Sequence, residues 1–456
     1  MTTISTLIII SVSLLGFTKP QDDLWKACMQ CDLEMVKKAI DKGADPKAMH
    51  PSNQNALALS YFCPNVTEYL IEIGVDPNSD GGNALVSAAN NYSYEVVKML
   101  LDAGAKPDAK APVYGATAAE QVIKQTNCVP CLEALRDAGA NLSPKMEKNT
   151  NFIHTMAIFS MTQEQRKQTW AMAAPGYEKY GLKVPEWLGN LDNKRNGTAE
   201  QILDILIAAG NDINAQIENP EIKANAKGVI KETGNTQLDY TPLMLAIGIT
   251  SGGASAGAPG KHHIAELLIA KGADVNLKAA AFDATALTLA SCQNNPDLVK
   301  ALIDKGADTE NEVWLIDHQT GLYMKGATPL VLAAKYNQLE NCKLLIEAGA
   351  KITKGTQGAG KSDKGCFFRI KDKSGLYYAI ETGNEEMVQL FLDNYQFWNN
   401  HTMEYIQPDQ STKQQFGNYV MIDNTCKKTA GPIRPGMHAN RIGQKDVARL
   451  LSKKGL

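Results

Sequence analysis

Lys271-Gly-Ala-Asp-Val-Asn276 decides how this chain is read, because close variants of it keep returning. They are Lys42-Gly-Ala-Asp45, Ile73-Gly-Val-Asp-Pro-Asn78, Ala103-Gly-Ala-Lys106, Ala138-Gly-Ala-Asn141, Ala209-Gly-Asn-Asp-Ile-Asn214, Lys305-Gly-Ala-Asp308 and Ala348-Gly-Ala-Lys351. The glycine falls at 43, 74, 104, 139, 210, 272, 306 and 349, so the gaps are 31, 30, 35, 71, 62, 34 and 43. Four gaps lie near 33, and the larger ones hold a period plus inserted sequence. A period of that length marks a stack of supersecondary units, and it takes precedence over any local motif.

The best-formed unit is Ala327–Gly349. Leu330, Leu332 and Ala333 mark one helical pattern, and Leu339, Cys342, Leu344, Leu345 and Ile346 mark a second. Thr328 suits a helix cap with Pro329 at the first helical position, where a missing N–H costs nothing. Gly349 ends the second helix, where a left-handed residue is wanted. This unit resembles the ankyrin repeat, with its turn, Thr-Pro-Leu-His tetrapeptide, two antiparallel helices and closing Gly-Ala-Asp-x-Asn. The tetrapeptide is most intact at Thr241-Pro-Leu-Met244 and Thr328-Pro-Leu-Val331, and degraded at Thr285-Ala-Leu-Thr288 and Asn83-Ala-Leu-Val86. Its histidine is expected nowhere in this chain.

The resemblance implies an all-α repeat solenoid of about ten helix-turn-helix units with β-hairpin fingers, from Asp22 onward. Residues 19–142 divide into repeats one to four. Residues 143–214 form an interrupted repeat five, with a helical insertion at Gln163–Ala173. Residues 215–394 hold repeats six to nine with loop insertions, including the Gly/Ser/Ala run Ser251–Lys261. Val313–Met324 reads as a β-hairpin turning at Gly321. Residues 395–456 comprise a polar insertion, Tyr395–Arg434, and a capping repeat ending in the helix Gln444–Lys453.

The N-terminus differs from the rest. Ile4–Phe17 is apolar and uncharged, too short for a membrane span, which needs roughly 20 such residues. Residues 1–18 therefore read as a secretory signal cut near Lys19, although no basic residue precedes the apolar run. The mature chain is then secreted or periplasmic, with no membrane span; the alternative is a cytoplasmic chain whose apolar start packs as a cap. With 46 basic and 49 acidic residues and no dominant Lys/Arg cluster, nucleic acid is not an expected partner. The nine cysteines are an odd number, so an exported chain keeps an unpaired thiol or pairs outside itself. Asn65-Val-Thr67, Asn141-Leu-Ser143, Asn196-Gly-Thr198 and Asn400-His-Thr402 fit the N-glycosylation pattern, relevant in a eukaryotic source.

Two motifs carry rival chemistry. Gly355-Thr-Gln-Gly-Ala-Gly-Lys-Ser362 matches the phosphate-binding loop of a nucleotide-hydrolysing enzyme. That motif works between a strand and the start of a helix, whereas here Cys366–Ile370 has strand character, so a Gly-rich finger loop is expected instead. Cys28-Met-Gln-Cys31 and Cys128-Val-Pro-Cys131 are candidate disulfides or redox pairs. Belonging to repeats one and four, they lie about 30 Å apart at roughly 8–10 Å per packing step, beyond the reach of one zinc ion. The histidines show no metal spacing beyond adjacent His262-His263. Neither metal nor cofactor is expected.

The reading is a monomeric protein-binding scaffold rather than an enzyme, its concave face built from fingers and first helices. Letters that keep the repeat pattern build the stack, so partner contacts belong where units deviate. Trp314, His318 and Tyr323 on the hairpin, Lys335 and Tyr336 at a helix end, and Phe367, Phe368 and Arg369 in the next finger are the candidates, since Trp, Tyr and Arg dominate interfaces.

Overall fold

The recurring phrase closes a helix, and it does so by one hydrogen-bond pair. At the end of the helix Pro296–Asp304, Gly306 N–H donates to Ile303 C=O at 2.8 Å and Ala307 N–H to Leu302 C=O at 3.0 Å. This is the Schellman arrangement, which uses up the last carbonyls of a helix and wants a left-handed residue at the turn. Gly306 has φ +81, and the same pair recurs after Gly43, Gly74, Gly104, Gly139, Gly210, Gly272 and Gly349. The alanine that follows is buried at 44, 105, 273, 307 and 350, which plugs each helix end into the core.

A computed structural model describes residues 19–125, 128–160, 198–218, 239–248, 262–279, 283–317, 322–352, 354–361, 367–394 and 435–453, together with Gln168. The proposed leader 1–18, the insertion Gln163–Ala173 apart from Gln168, the run Ser251–Lys261, His318 and the polar stretch Tyr395–Arg434 lie outside the described residues.

The chain divides into two compact units, residues 1–142 with 161–202, and residues 143–160 with 203–456. Among its described residues the first holds four helix pairs: α1 (Pro20–Met29) with α2 (Leu33–Asp41), α3 (Ala56–Leu59) with α4 (Pro64–Glu72), α5 (Asn83–Asn90) with α6 (Tyr94–Asp102), and α7 (Ala118–Gln125) with α8 (Val129–Asp137). First helices pack on first helices and second on second, so two rows of helices share a core renewed at every step. Leu24, Leu57, Leu85 and Ile123 fill one row, and Val36, Leu70, Leu100 and Leu135 the other.

In the second unit, α9 (Phe152–Phe159) begins a row of first helices. It continues through α11 (Pro242–Ile247), α13 (Ala286–Ser291), α15 (Pro329–Lys335), α17 (Gly375–Thr382) and α19 (Pro435–Arg441). The helix α10 (Ala199–Ala208) crosses the division between the units at Ile202; the second helices that follow are α12 (His262–Ala270), α14 (Pro296–Asp304), α16 (Leu339–Glu347), α18 (Glu385–Asn394) and α20 (Lys445–Lys453), and they pack in sequence. The closing repeat is thus a full pair: α20 is preceded by α19, which packs on α17. No helix among the described residues is long and apolar enough to cross a membrane.

Threonine and asparagine start the first helices. The Thr241 and Thr328 hydroxyls accept the amides of Met244 and Val331, and Asn55 accepts that of Ala58 at 2.8 Å. Each fills one of the orphan N–H groups of a first turn. The histidine of the family tetrapeptide, expected nowhere, does occur. In Asn151-Phe-Ile-His154 the Asn151 side chain caps α9, and His154 Nδ1 accepts the Asn151 amide at 3.2 Å, closing a capping box. Replacement of threonine by asparagine at the cap had hidden the match.

Two fingers merge. Strands β1 (Val313–Asp317) and β2 (Leu322–Ala327) form the expected hairpin before α15. Gly355–Lys361, expected as a loop, is strand β3, and it pairs with β4 (Phe367–Ser374) before α17. Lys325 on β2 pairs with Gln357 on β3, joining the fingers of successive repeats into one antiparallel sheet of order β1-β2-β3-β4. Gly326 permits the junction. Its φ is +98, and a Cβ there would stand 3.1 Å from the Gly355 carbonyl oxygen.

Candidate partner-binding surface

Strand pairing fixes which sheet positions share a face, because alternate residues point to opposite sides. Trp314 lies opposite Lys325, which lies opposite Gln357; Ile316 lies opposite Tyr323; Ala359 opposite Arg369; Lys361 opposite Phe367. Four of the sequence candidates, Trp314, Tyr323, Phe367 and Arg369, therefore belong to one face, although they come from two different fingers. Phe368 pairs with Gly360 and belongs to the other face. The root of the sheet shows which face is open. Thr356 and Lys373, paired on the second face, are buried, whereas Lys325 is exposed and Trp314 half-buried. Lys325 Nζ stands 5.9 Å from the Trp314 ring centroid, a cation–π contact across the strand pair.

Lys335 and Tyr336 form a second group at the C-terminal end of α15, both half-buried. Lys335 Nζ lies 5.7 Å from the Tyr336 ring and 5.9 Å from that of Tyr378 on α17. Burial, with the nearby Cys292 thiol second, pushes the Tyr336 hydroxyl up to about 12, so it stays a protonated donor. The Cys292 thiol is itself pushed up to about 12 by burial, against the pull of Lys335, and is held as an unreactive thiol.

Tyr378 escaped the sequence reading, as did its neighbour Tyr377. Tyr377 stacks on His438 of the closing repeat at 4.9 Å and 19°, lies under Lys373 Nζ at 5.0 Å, and donates its hydroxyl to Glu381 at 2.6 Å. Burial, then the charges of Lys373 and Arg441, lowers His438 to about 4, so a neutral ring seals the end of the stack. The signal lay in the sequence: Tyr377 and Tyr378 stand where the preceding first helix has Val331 and Leu332.

The rival chemistries lose their settings. A phosphate loop needs its glycines wrapped around an anion ahead of a helix, but Gly355–Lys361 is extended and paired on both sides, and β4 follows it. Cys31 bonds not to Cys28 but to Cys63, the residue ahead of α4 in the next repeat, and Cys28 is a buried free thiol pushed up to about 12 by burial. Cys28 lies within α1, whereas Cys31 follows it at φ 57, so the two leave the backbone in different directions. Cys128 and Cys131 are bonded to each other, and both are wholly buried, which denies the bond a protein substrate. Among the described residues no group of three or more His, Cys, Asp or Glu side chains is arranged to hold a metal.

A family model described as ankyrin repeats in three copies matches residues 24–111 and 253–356. The chain contains ankyrin repeats. The first span runs through α6 and the second from α12 through α16, with the first finger hairpin inside it. Ankyrin repeats serve in general as protein–protein interaction modules and typically as non-enzymatic scaffolds.

Proposed function

We propose that this ankyrin-repeat protein binds a partner protein through the finger and first-helix surface of its second unit, with Trp314, His318, Tyr323, Lys335, Tyr336, Phe367, Phe368 and Arg369 as contacts. The observation that carries the reading is the fusion of two fingers into one sheet. It gathers Trp314, Tyr323, Phe367 and Arg369 on one face, from segments that depart from the repeat pattern. A rigid platform carrying Trp, Tyr and Arg loses little entropy on binding and suits a protein partner. The protein acts as a monomeric scaffold, without a cofactor.

The same reading places the protein outside the cytosol. The apolar run 4–17 fits a leader, and disulfides Cys31–Cys63 and Cys128–Cys131 fit an oxidising compartment. N-terminal mapping of the mature protein by mass spectrometry tests this: a first residue near Lys19 is expected, and an intact Met1 chain in the cytosol overturns it.

Chemical cross-linking in the native compartment, followed by affinity capture, tests the binding surface. The parent chain is expected to retain a specific partner that Trp314→Ala retains several-fold less. Equal capture by both chains places the contact elsewhere.

A further inference from the structure

Several repeats reverse the chain between their two helices through a left-handed residue. In the second unit Asn337 (φ 58), Gly383 (φ 72) and Gly443 (φ 84) take this place, and these are the residue types that adopt it most readily. In the first unit Cys31 takes it at φ 57 as half of a disulfide, and Tyr92 takes it at φ 61. A left-handed backbone at a bulky residue is an outlier, and such outliers cluster at binding sites. The Tyr92 hydroxyl donates to Gln125 Oε1 at 3.3 Å, so the ring reaches from the third helix pair to the fourth. One pair earlier, Phe62 stands at the matching point: each residue directly precedes the N-cap of its second helix, Cys63 or Ser93. The Phe62 ring packs edge to face on that of Tyr61, 4.7 Å away. Tyr61, Phe62 and Tyr92 are all half-buried, so each keeps part of its ring at the surface. The turns 60–63 and 90–93 contain no charged residue, and the amides Asn90, Asn91 and Gln125 accompany the rings.

From these positions we infer that Tyr61, Phe62 and Tyr92 take a proline-rich, extended segment of a partner protein. Such a segment forms a polyproline helix, which rises about 9 Å in each turn of three residues. The second helices α4 and α6 pack on each other, and helices in contact lie about 8–10 Å apart. Prolines three residues apart therefore meet Phe62 and then Tyr92. Aromatic rings accept the pyrrolidine rings, while hydroxyl and amide groups beside them serve backbone carbonyls that this helix leaves without internal bonds. The segment arrives already extended, so little chain entropy is lost on binding. The Cys31–Cys63 disulfide ends beside Phe62 and stiffens the ridge. This surface belongs to the first unit and is independent of the one proposed on the second.

A fluorescein-labelled peptide of repeated Pro-Ala-Ala triplets tests this on the full chain by fluorescence anisotropy. Binding is expected, with little change at high salt because no charge takes part. A peptide of the same composition with proline at every second position should bind several-fold more weakly. Tyr92→Asn suits the left-handed backbone and should lose about tenfold in affinity while remaining folded by circular dichroism. Phe62→Ala repeats the test from the neighbouring pair. Trp314→Ala, in the second unit, should bind like the parent. No binding by the parent, equal binding of the two peptides, or equal binding by the parent and both first-unit variants overturns the inference. Loss of binding on Trp314→Ala alone also overturns it, by moving the site to the second unit. So does tighter binding of cellohexaose through Phe62 and Tyr92, which assigns the rings to a glycan.

Discussion

The Asn276 side chain holds the Asp308 amide at 2.8 Å, thirty-two residues further along, while its own Nδ2 donates to the Gly306 carbonyl at 3.0 Å. One amide side chain thus ties the end of one repeat to the end of the next. Asn78 does the same for Gly104 and Lys106, and Asn214 accepts the Asp274 amide at 2.8 Å. In the first described helix pair Gln21 makes the same kind of double bond, to both the amide and the carbonyl of Asp45. Asn276→Ala removes two such bonds at an exposed turn and is expected to lower stability by about 1–2 kcal/mol, read by urea denaturation. Asn276→Asp keeps the acceptor and loses the donor, so an intermediate loss is expected.

Glycine serves two separate ends, and substitution distinguishes them. Gly272 has φ +87 with open space around the missing Cβ, so Gly272→Ala suffers only backbone strain, about 1–2 kcal/mol. Gly375, at the start of α17, has no such strain, but a Cβ there would overlap the Phe391 ring. Gly375→Ala is expected to lose about 1–3 kcal/mol by overpacking. Phe391→Leu should recover part of that loss in the double variant and nothing in the Gly272→Ala background, which a double-mutant cycle of thermal melts resolves.

The two disulfides close loops of very different length. Cys31–Cys63 spans a separation of 32 residues and Cys128–Cys131 one of 3. Loop-closure entropy gives about 3–4 kcal/mol for the first and about 2 for the second. Cys31→Ser with Cys63→Ser should therefore lower the melting temperature of the first unit more than Cys128→Ser with Cys131→Ser. Peptide mapping without reduction should recover the segments around Cys31 and Cys63 as one cross-linked species. Recovery of a Cys28–Cys31 link instead contradicts the pairing.

Acid is expected to act on the two units in opposite senses. Asp80 in the first unit is 3 % exposed, and burial raises it to about 6 despite the amide hydrogen bonds it accepts. A raised folded pKa means stability fully present below the unfolded value near 3.8 and lost as pH rises through about 6. Asp80→Asn should flatten that dependence and stabilise the first unit at neutral pH by about 2–3 kcal/mol. His154 in the second unit is lowered to about 4 by burial. Its contribution is present above the unfolded value near 6.5 and lost as pH falls through about 4. Hydrogen exchange between pH 4 and 7, resolved by peptide, should show protection moving in opposite directions around Asp80 and His154.

Most of the fold was legible because ankyrin repeats write their helix ends locally. Gly272, Thr328 and the apolar spacing of Leu339–Ile346 each act within one turn of the chain, and a reader of short windows finds them. What stayed hidden was set by contacts between windows. Nothing near Gly355 says that it will be a strand, since glycine disfavours strands and the pairing comes from β2 and β4. Cys31 looked toward Cys28 because sequence shows neighbours along the chain, whereas the repeat stack brings Cys63 alongside. Tyr377 and Tyr378 were visible as oddities in a first helix, yet their partners, His438 and Lys335, came only with the packing. The candidate surface was half-legible in the same way: its aromatic residues stood out, and their common face required the register.

The bridge from Asn214 to Asp274 spans 60 residues and that from Asn276 to Asp308 spans 32, yet each is a 2.8 Å bond between adjoining repeat ends. The length of the intervening chain does not enter the register at all. For a protein engineer, the connections within 215–262 are therefore cassettes: foreign sequence can be grafted there, as a tag, an epitope or a second recognition loop, while the helices on either side keep their places.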